Sequence, residues 1–266
     1  MQEPIFLLYQ QVEVASLTLK KFNALEQKNI RAYIFKNSLP PVLMGSHEAI
    51  KSAIEINNLI AVRQELIANA PPDKLSQSYI KWLHKKLLKG VVEKPGEYSK
   101  TQRVISKYKF ASGKEKELVS SKKAWVAPPG EICQKAMKDM LDWYNTSSQQ
   151  DIVLKATELM LRFLQIHPFD DGNGRISRCL FLIALMQSSN KKIREIAPYL
   201  IIEYHLEKNK IEWGDMVQTS GDFNVEQIYE LGEINQFAIS AVRKSIDDLI
   251  EFLEFLLKKS AEACEP

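Results

Sequence analysis

Apolar positions along this chain recur mostly at helical spacing. In residues 46–69 they fall at Ile50, Ile54, Ile56, Leu59, Ile60 and Leu66, about three to four apart, which predicts an amphipathic helix. Pro71 and Pro72 end it. A second helix fits 75–89, with Ile80, Leu83, Leu87 and Leu88 on one side and Gly90 placed for its C-terminal cap. A third fits about 131–145. Residues 151–166 are apolar nearly all round, the mark of a buried central helix. His167-Pro168 interrupts this pattern, since a residue before proline is steered away from helical backbone. Helical spacing resumes at about Ile176 and runs to Gln187. A last helix, about 232–259, carries a stripe through Ile234, Phe237, Ala241, Ile246, Leu249, Leu253 and Leu256 that reads as packing against the body.

The stretch 96–130 differs. Two β-leaning runs, Arg103 to Phe110 and Lys122 to Ala127, flank a polar turn region with Ser112 and Gly113. This predicts a hairpin on a helical body, its Lys- and Ser-rich arm projecting into solvent. The fold class is therefore mainly α with a β-hairpin. Residues 190–230 show no clear period.

Composition narrows the classes. Of 266 residues, 45% are apolar and 26% charged, enough to bury a core and too apolar for a disordered chain. Thirty-six basic residues against 33 acidic ones leave a net charge of +3, which argues against nucleic acid as partner. Cys133, Cys179 and Cys264 lack metal-ligand spacing and read as free thiols in a reducing compartment, with Cys179 in the core. The first residues have no basic leader pattern. The longest apolar run, Cys179 to Met186, falls far short of the roughly 20 residues of a membrane helix. The expectation is a cytoplasmic protein with no membrane contact.

Chemistry concentrates in His167-Pro168-Phe169-Asp170-Asp171-Gly172-Asn173-Gly174-Arg175-Ile176-Ser177-Arg178, between two apolar helices. Gly172, Asn173 and Gly174 let backbone bend closely around a ligand where the second helix begins. Unpaired amides at a helix N-terminus, with the helix dipole behind them, form an anion site. Arg175 and Arg178, three apart, add two guanidinium forks on one face of the first turn. Asp171 offers magnesium a carboxylate beside that site. His167 is the nearby side chain that titrates near neutral pH and suits a general base. Together they describe phosphoryl or nucleotidyl transfer.

Plainer readings fare worse. A calcium loop fails on register, because Phe169 and Leu180 would stand at ligand positions. A Walker loop lacks its GK[ST]. A packing histidine beside an ordinary turn would not need two arginines and an acid within the same twelve residues.

The stretch matches the signature HxFx[DE]GNGRxxR of the Fic family at every defined position. The surroundings also resemble a Fic domain over about 75–215: the Lys81–Leu88 helix with His84, then Pro95-Gly96-Glu97-Tyr98, a hairpin, and Pro128-Pro129. The resemblance implies a Fic-type helical bundle as a core over 75–215, preceded by a helical region over 1–74 and followed by a helical extension over 216–266. Its hairpin at about 102–127 would be a flap that holds a target segment as an added strand. It implies ATP and Mg2+ as substrate and cofactor, with AMP passed to a Ser, Thr or Tyr hydroxyl of another protein. By position, His167 would take the hydroxyl proton and Asp171 would hold magnesium. Gly172, Asn173 and Gly174 would form the anion hole, and Arg175 and Arg178 would bind the β- and γ-phosphates. Phe169 would be a buried anchor and Asp170 solvent-facing.

Many Fic proteins carry an inhibitory helix, [ST]xxxE[GN], whose glutamate pairs with the second motif arginine. Lys51-Ser52-Ala53-Ile54-Glu55-Ile56-Asn57 resembles it upstream of the core, with Lys51 and Ile56 departing from the pattern. The implied brake is an ion pair from Glu55 to Arg178. A homodimer that moves the brake is implied by resemblance only. Two other functions stay open here: a Fic-fold kinase-like or other phosphate-group transferase, and an interaction protein that binds nucleotide as a regulatory ligand.

Overall fold

The computed structural model describes residues 3–37, 46–101, 103–105, 108–110, 116–118, 125–127, 130–148, 151–202, 204–205 and 232–262. The side chains of 3–5, 35–52, 102–129 and 232–237 lie outside that description. So do the expected turn at Ser112 and Gly113, Pro128-Pro129, Cys264 and the stretch 206–231, with it the boundary placed at 215/216.

The centre is the pair α6 (Ile152–Ile166) and α7 (Asn173–Met186). As their unbroken apolar character requires, both are enclosed. Leu159, Met160, Leu161 and Phe163 of α6 and every residue of α7 from Cys179 to Leu185 are almost without exposure. Each such large side chain contributes about 1.5–3 kcal/mol of burial, so this pair forms the centre of the core among the described residues. Asp151 starts α6 as an N-cap, its carboxylate accepting from the Val153 and Leu154 amides.

The other elements pack around this pair. α4 (Gln77–Leu87), N-capped by the Ser76 hydroxyl, lies on α7 and buries Ile80, Leu83 and Leu87 as the sequence spacing required. α5 (Gly130–Thr146) covers α6. α3 (Ser46–Asn69) lies on α4, burying Val62, Arg63 and Leu66. The N-terminal region resolves into α1 (Glu3–Leu19) and α2 (Ala24–Asn37). α1 packs on α8 (Lys191–Ile196) and on α9 (Gly232–Glu262), which also touches α6. The predicted stripe of α9 is buried at Ala241, Ile246, Leu249 and Leu253.

Between α4 and α5 the backbone forms two short antiparallel ladders. β1 (Arg103–Ile105) pairs with β4 (Trp125–Ala127), Val104 opposite Val126. β2 (Tyr108–Phe110) pairs with β3 (Lys116–Leu118), Lys109 opposite Glu117. Residues 116–118 had been read as part of the turn region. Their pairing takes the outer ladder further along the chain than side-chain pattern predicted. Among the described residues no helix is long and apolar enough to cross a membrane.

Candidate active site

Residues 167–172 connect the end of α6 to the start of α7. His167 closes α6 with left-handed backbone (φ 47°, ψ 57°), its amide donating to the Phe163 carbonyl at 2.9 Å. Positive φ is uncommon outside glycine and is held here by the packing on either side. His167 Nδ1 lies 3.2 Å from the Leu164 carbonyl oxygen. A carbonyl only accepts, so Nδ1 carries the proton and Nε2 carries the lone pair. The ring is half-buried.

The next residues are anchored. Phe169 is fully buried and stacks on the His84 ring, centroids 3.8 Å apart, with Tyr98 and Phe163 at 5.1 and 6.3 Å. Asn173 binds Phe169 with both ends of its amide: Oδ1 accepts from the Phe169 N–H at 3.0 Å and Nδ2 donates to its C=O at 2.7 Å. The Asn173 side chain is thus turned inward as the clamp that closes the loop, which leaves its place in the expected anion hole to its backbone amide. Asp170 is exposed.

Gly172 starts α7 with φ 84°, and a Cβ there would stand 2.6 Å from Leu88 Cδ2. Positive φ and the close approach of α4 both demand glycine. Gly172, the N-cap of α7, has no side chain with which to cap the first turn, as a serine or asparagine there would. The Asp171 carboxylate accepts from the Gly172 amide at 2.6 Å and from Arg175 Nη2 at 3.0 Å. Arg178 folds back over the same turn, its Nη1 3.4 Å from where a Gly174 Cβ would stand. Both guanidinium groups therefore serve the opening of α7, although they start one turn apart.

Glu55 reaches this place from α3, with Oε1 2.8 Å from Arg175 Nη1. The implied partner was Arg178; the structure puts the pair on Arg175. That nitrogen is buried and makes no aligned hydrogen bond, so the contact is coulombic attraction rather than a directed fork. The register of α3 on α4 brings Glu55 to this turn. Asn58, one turn beyond Glu55, donates through Nδ2 to the Leu87 and Lys89 carbonyls at 3.0 and 2.8 Å, satisfying the C-terminal end of α4. Lys86 and Glu65 add an ion pair at 3.0 Å. With α3 held there, Glu55 faces the first turn of α7, where Arg175 stands.

His84 is buried on α4 and joins two loops. Its Nδ1 accepts from the Gly96 amide at 2.6 Å, and its Nε2 lies 3.1 Å from the Asp171 carbonyl oxygen. Burial lowers its pKa, opposed in part by the Asp171 carbonyl. Sequence reading singled out His84 only as part of a family pattern; the roles of Asn58, Asn173 and the Leu164 carbonyl carry no signal in spacing. Among the described residues no three His, Cys, Asp or Glu side chains gather as a metal cluster. A magnesium ion here would take one protein carboxylate plus phosphate oxygens, its common manner of binding.

Residues 74–185 match the model of the Fic/DOC family. A curated protein of Aquifex aeolicus (strain VF5), named "Probable protein adenylyltransferase", is 28% identical over 114 residues, 43% of this chain and 31% of that protein. The match thus spans about a third of the length of that relative. Two solved structures share the fold. A Fic family protein from Desulfovibrio desulfuricans G20 has a TM-score of 0.60 at 18% identity, covering 92% of this chain and 74% of that one. A Fic domain containing signaling protein from Bacteroides thetaiotaomicron VPI-5482 has a TM-score of 0.57 at 16% identity, covering 96% and 91%.

Proposed function

Because residues 74–185 match the model of the Fic/DOC family, we propose that this chain is a protein adenylyltransferase that moves AMP from ATP to a hydroxyl side chain of a target protein. The observation that carries this reading is the His167 tautomer. With Nδ1–H donating to Leu164, Nε2 is the ring nitrogen whose lone pair can accept a proton, and it belongs to the loop that leads into the start of α7.

In the transfer, the target hydroxyl gives its proton to His167 Nε2 as its oxygen bonds to the α-phosphorus of ATP. The bond from that phosphorus to the bridging β-phosphate oxygen breaks, and pyrophosphate leaves with the electron pair. The amides of Asn173 and Gly174, joined by that of Gly172 once it parts from Asp171, stabilise the phosphate charge as backbone donors. Arg175 and Arg178 neutralise the leaving pyrophosphate. Magnesium, when bound at Asp171, supplies further charge neutralisation. The paired strands β1–β4 and β2–β3 form the flap on which a target segment adds as a strand.

The same reading makes α3 a brake. Arg175 is engaged by Glu55, so phosphate must compete with a carboxylate for it. The domain division follows: 1–74 carries the brake, 75–215 the catalytic core, and 216–266 supports it from the C-terminal side.

The test is label transfer from ATP radioactive at the α-phosphate, with magnesium and a cell lysate, comparing wild type, His167→Ala and Glu55→Gly. The expected result is protein labelling that Glu55→Gly raises and His167→Ala abolishes, a loss of at least about 100-fold. Label appearing only from the γ-phosphate would replace this reading with a kinase. Binding of ATP without transfer from either position would replace it with regulatory binding.

A further inference from the structure

We infer that His84 is a positioning residue that fixes the start of the anion-binding turn by tying it to the base of the flap; this rests on the transfer reading above. The argument begins with donors and acceptors. Gly96 N–H donates to Nδ1 at 2.6 Å, so Nδ1 is unprotonated. Nε2 therefore carries the ring proton and donates to the Asp171 carbonyl at 3.1 Å. The ring passes one hydrogen bond to each side and needs the neutral Nε2–H tautomer for both.

Each partner is set by its surroundings. Gly96 has φ 92°, and a Cβ there would lie 3.1 Å from the Lys81 carbonyl oxygen and 3.4 Å from Lys85 Cβ. Only glycine brings an amide that close to α4 in that conformation. On the other side, the Asp171 carbonyl belongs to the peptide whose nitrogen is Gly172, the first amide of the turn. The ring face is held as well, stacked on Phe169. A second tie runs in parallel, since the Ser99 amide donates to the Pro168 carbonyl at 2.9 Å. The segment 96–99 lies three residues ahead of β1. The strands that would carry the target and the turn that would carry the phosphates thus share one buried imidazole as their common reference. His84 is buried among Gly96, Phe169 and the Asp171 carbonyl, so it acts through the placement of Asp171 and Gly172.

The test uses the full chain as wild type, His84→Ala and His84→Gln. Glutamine offers one acceptor and one donor on a planar amide and can replace both bonds; alanine replaces neither. Expected for His84→Ala is a fall in kcat of about 10- to 100-fold, the scale of a misplaced reacting group, with Gly96 amide exchange accelerated. Expected for His84→Gln is recovery of most of that rate and slow Gly96 exchange. Nitrogen-15 spectra of the wild-type ring should report protonated Nε2 and unprotonated Nδ1.

A ring protonated at Nδ1, unchanged Gly96 exchange in His84→Ala, or equal impairment of folded alanine and glutamine variants would each overturn the inference. So would wild-type kcat in His84→Ala. Should that variant fail to fold, the ring spectra and His84→Gln decide. If wild type transfers no α-phosphate label, the transfer reading falls by itself; ring tautomer and Gly96 exchange still judge the tie between the loops.

Discussion

Single side chains in this loop do work that their types alone do not announce. Asn173 looks like a residue that would face a phosphate, yet its amide is spent on Phe169. Gly172 combines two demands, positive φ and contact with Leu88. Replacing it by alanine should cost about 1–3 kcal/mol through overpacking and backbone strain. The two parts can be separated. Leu88→Ala alone removes buried volume, but together with Gly172→Ala it removes the clash, so the pair should be destabilised by less than the sum of the singles. Denaturant midpoints of the four proteins measure this. Strict additivity would mean that Leu88 is not what excludes a Cβ at 172.

At the scale of elements, what was legible followed from strong periodicity and sharp punctuation. The helix over 46–69 appears with those bounds because Pro71 and Pro72 follow it, and α5 begins and ends within one residue of expectation. α7 begins at Asn173 rather than about Ile176, since left-handed Gly172 lets the helix open as soon as the loop has turned. The helical chemistry of 167–178 was readable because its parts lie close in sequence. The partner of Glu55 was not, because it depends on how two helices lie on each other. Asn58 supplies that register, and it gives a prediction. Asn58→Ala leaves the Leu87 and Lys89 carbonyls without this donor and loosens α3 against α4. On the proposed reading, labelling should rise in the same direction as with Glu55→Gly and by a smaller factor. No rise in Asn58→Ala, when Glu55→Gly does activate, would show that Asn58 does not hold the brake in place.

Over the whole molecule, burial of polar aromatic groups sets an alkaline limit. Burial raises the phenol of Tyr79 to about 12, with Cys179 and Glu65 adding to the effect. It also raises Tyr98 and Tyr144. An unfolded chain ionises its tyrosines near pH 10. Between that pH and the higher folded values the unfolded state alone loses protons, so stability is full below about 10 and falls as pH climbs through the folded range. A denaturant midpoint flat to about pH 10 and dropping above it is the expected result. Phenolate absorbance of the native protein should lag that of the unfolded one. Simultaneous ionisation of every tyrosine near pH 10 with the fold intact would contradict the burial described here.

The bond from His167 Nδ1 to Leu164 has a further consequence. The carbonyl that selects the tautomer belongs to the last turn of the same helix that ends at His167. On the transfer reading, neither nucleotide nor target would be needed to select the tautomer of the base, because the helix itself supplies the acceptor. Such a catalyst would be governed at its entrance. Under the proposed reading, release of α3 would then change how often ATP settles productively, lowering the concentration that half-saturates the enzyme, while the turnover of a filled site stays near its original pace.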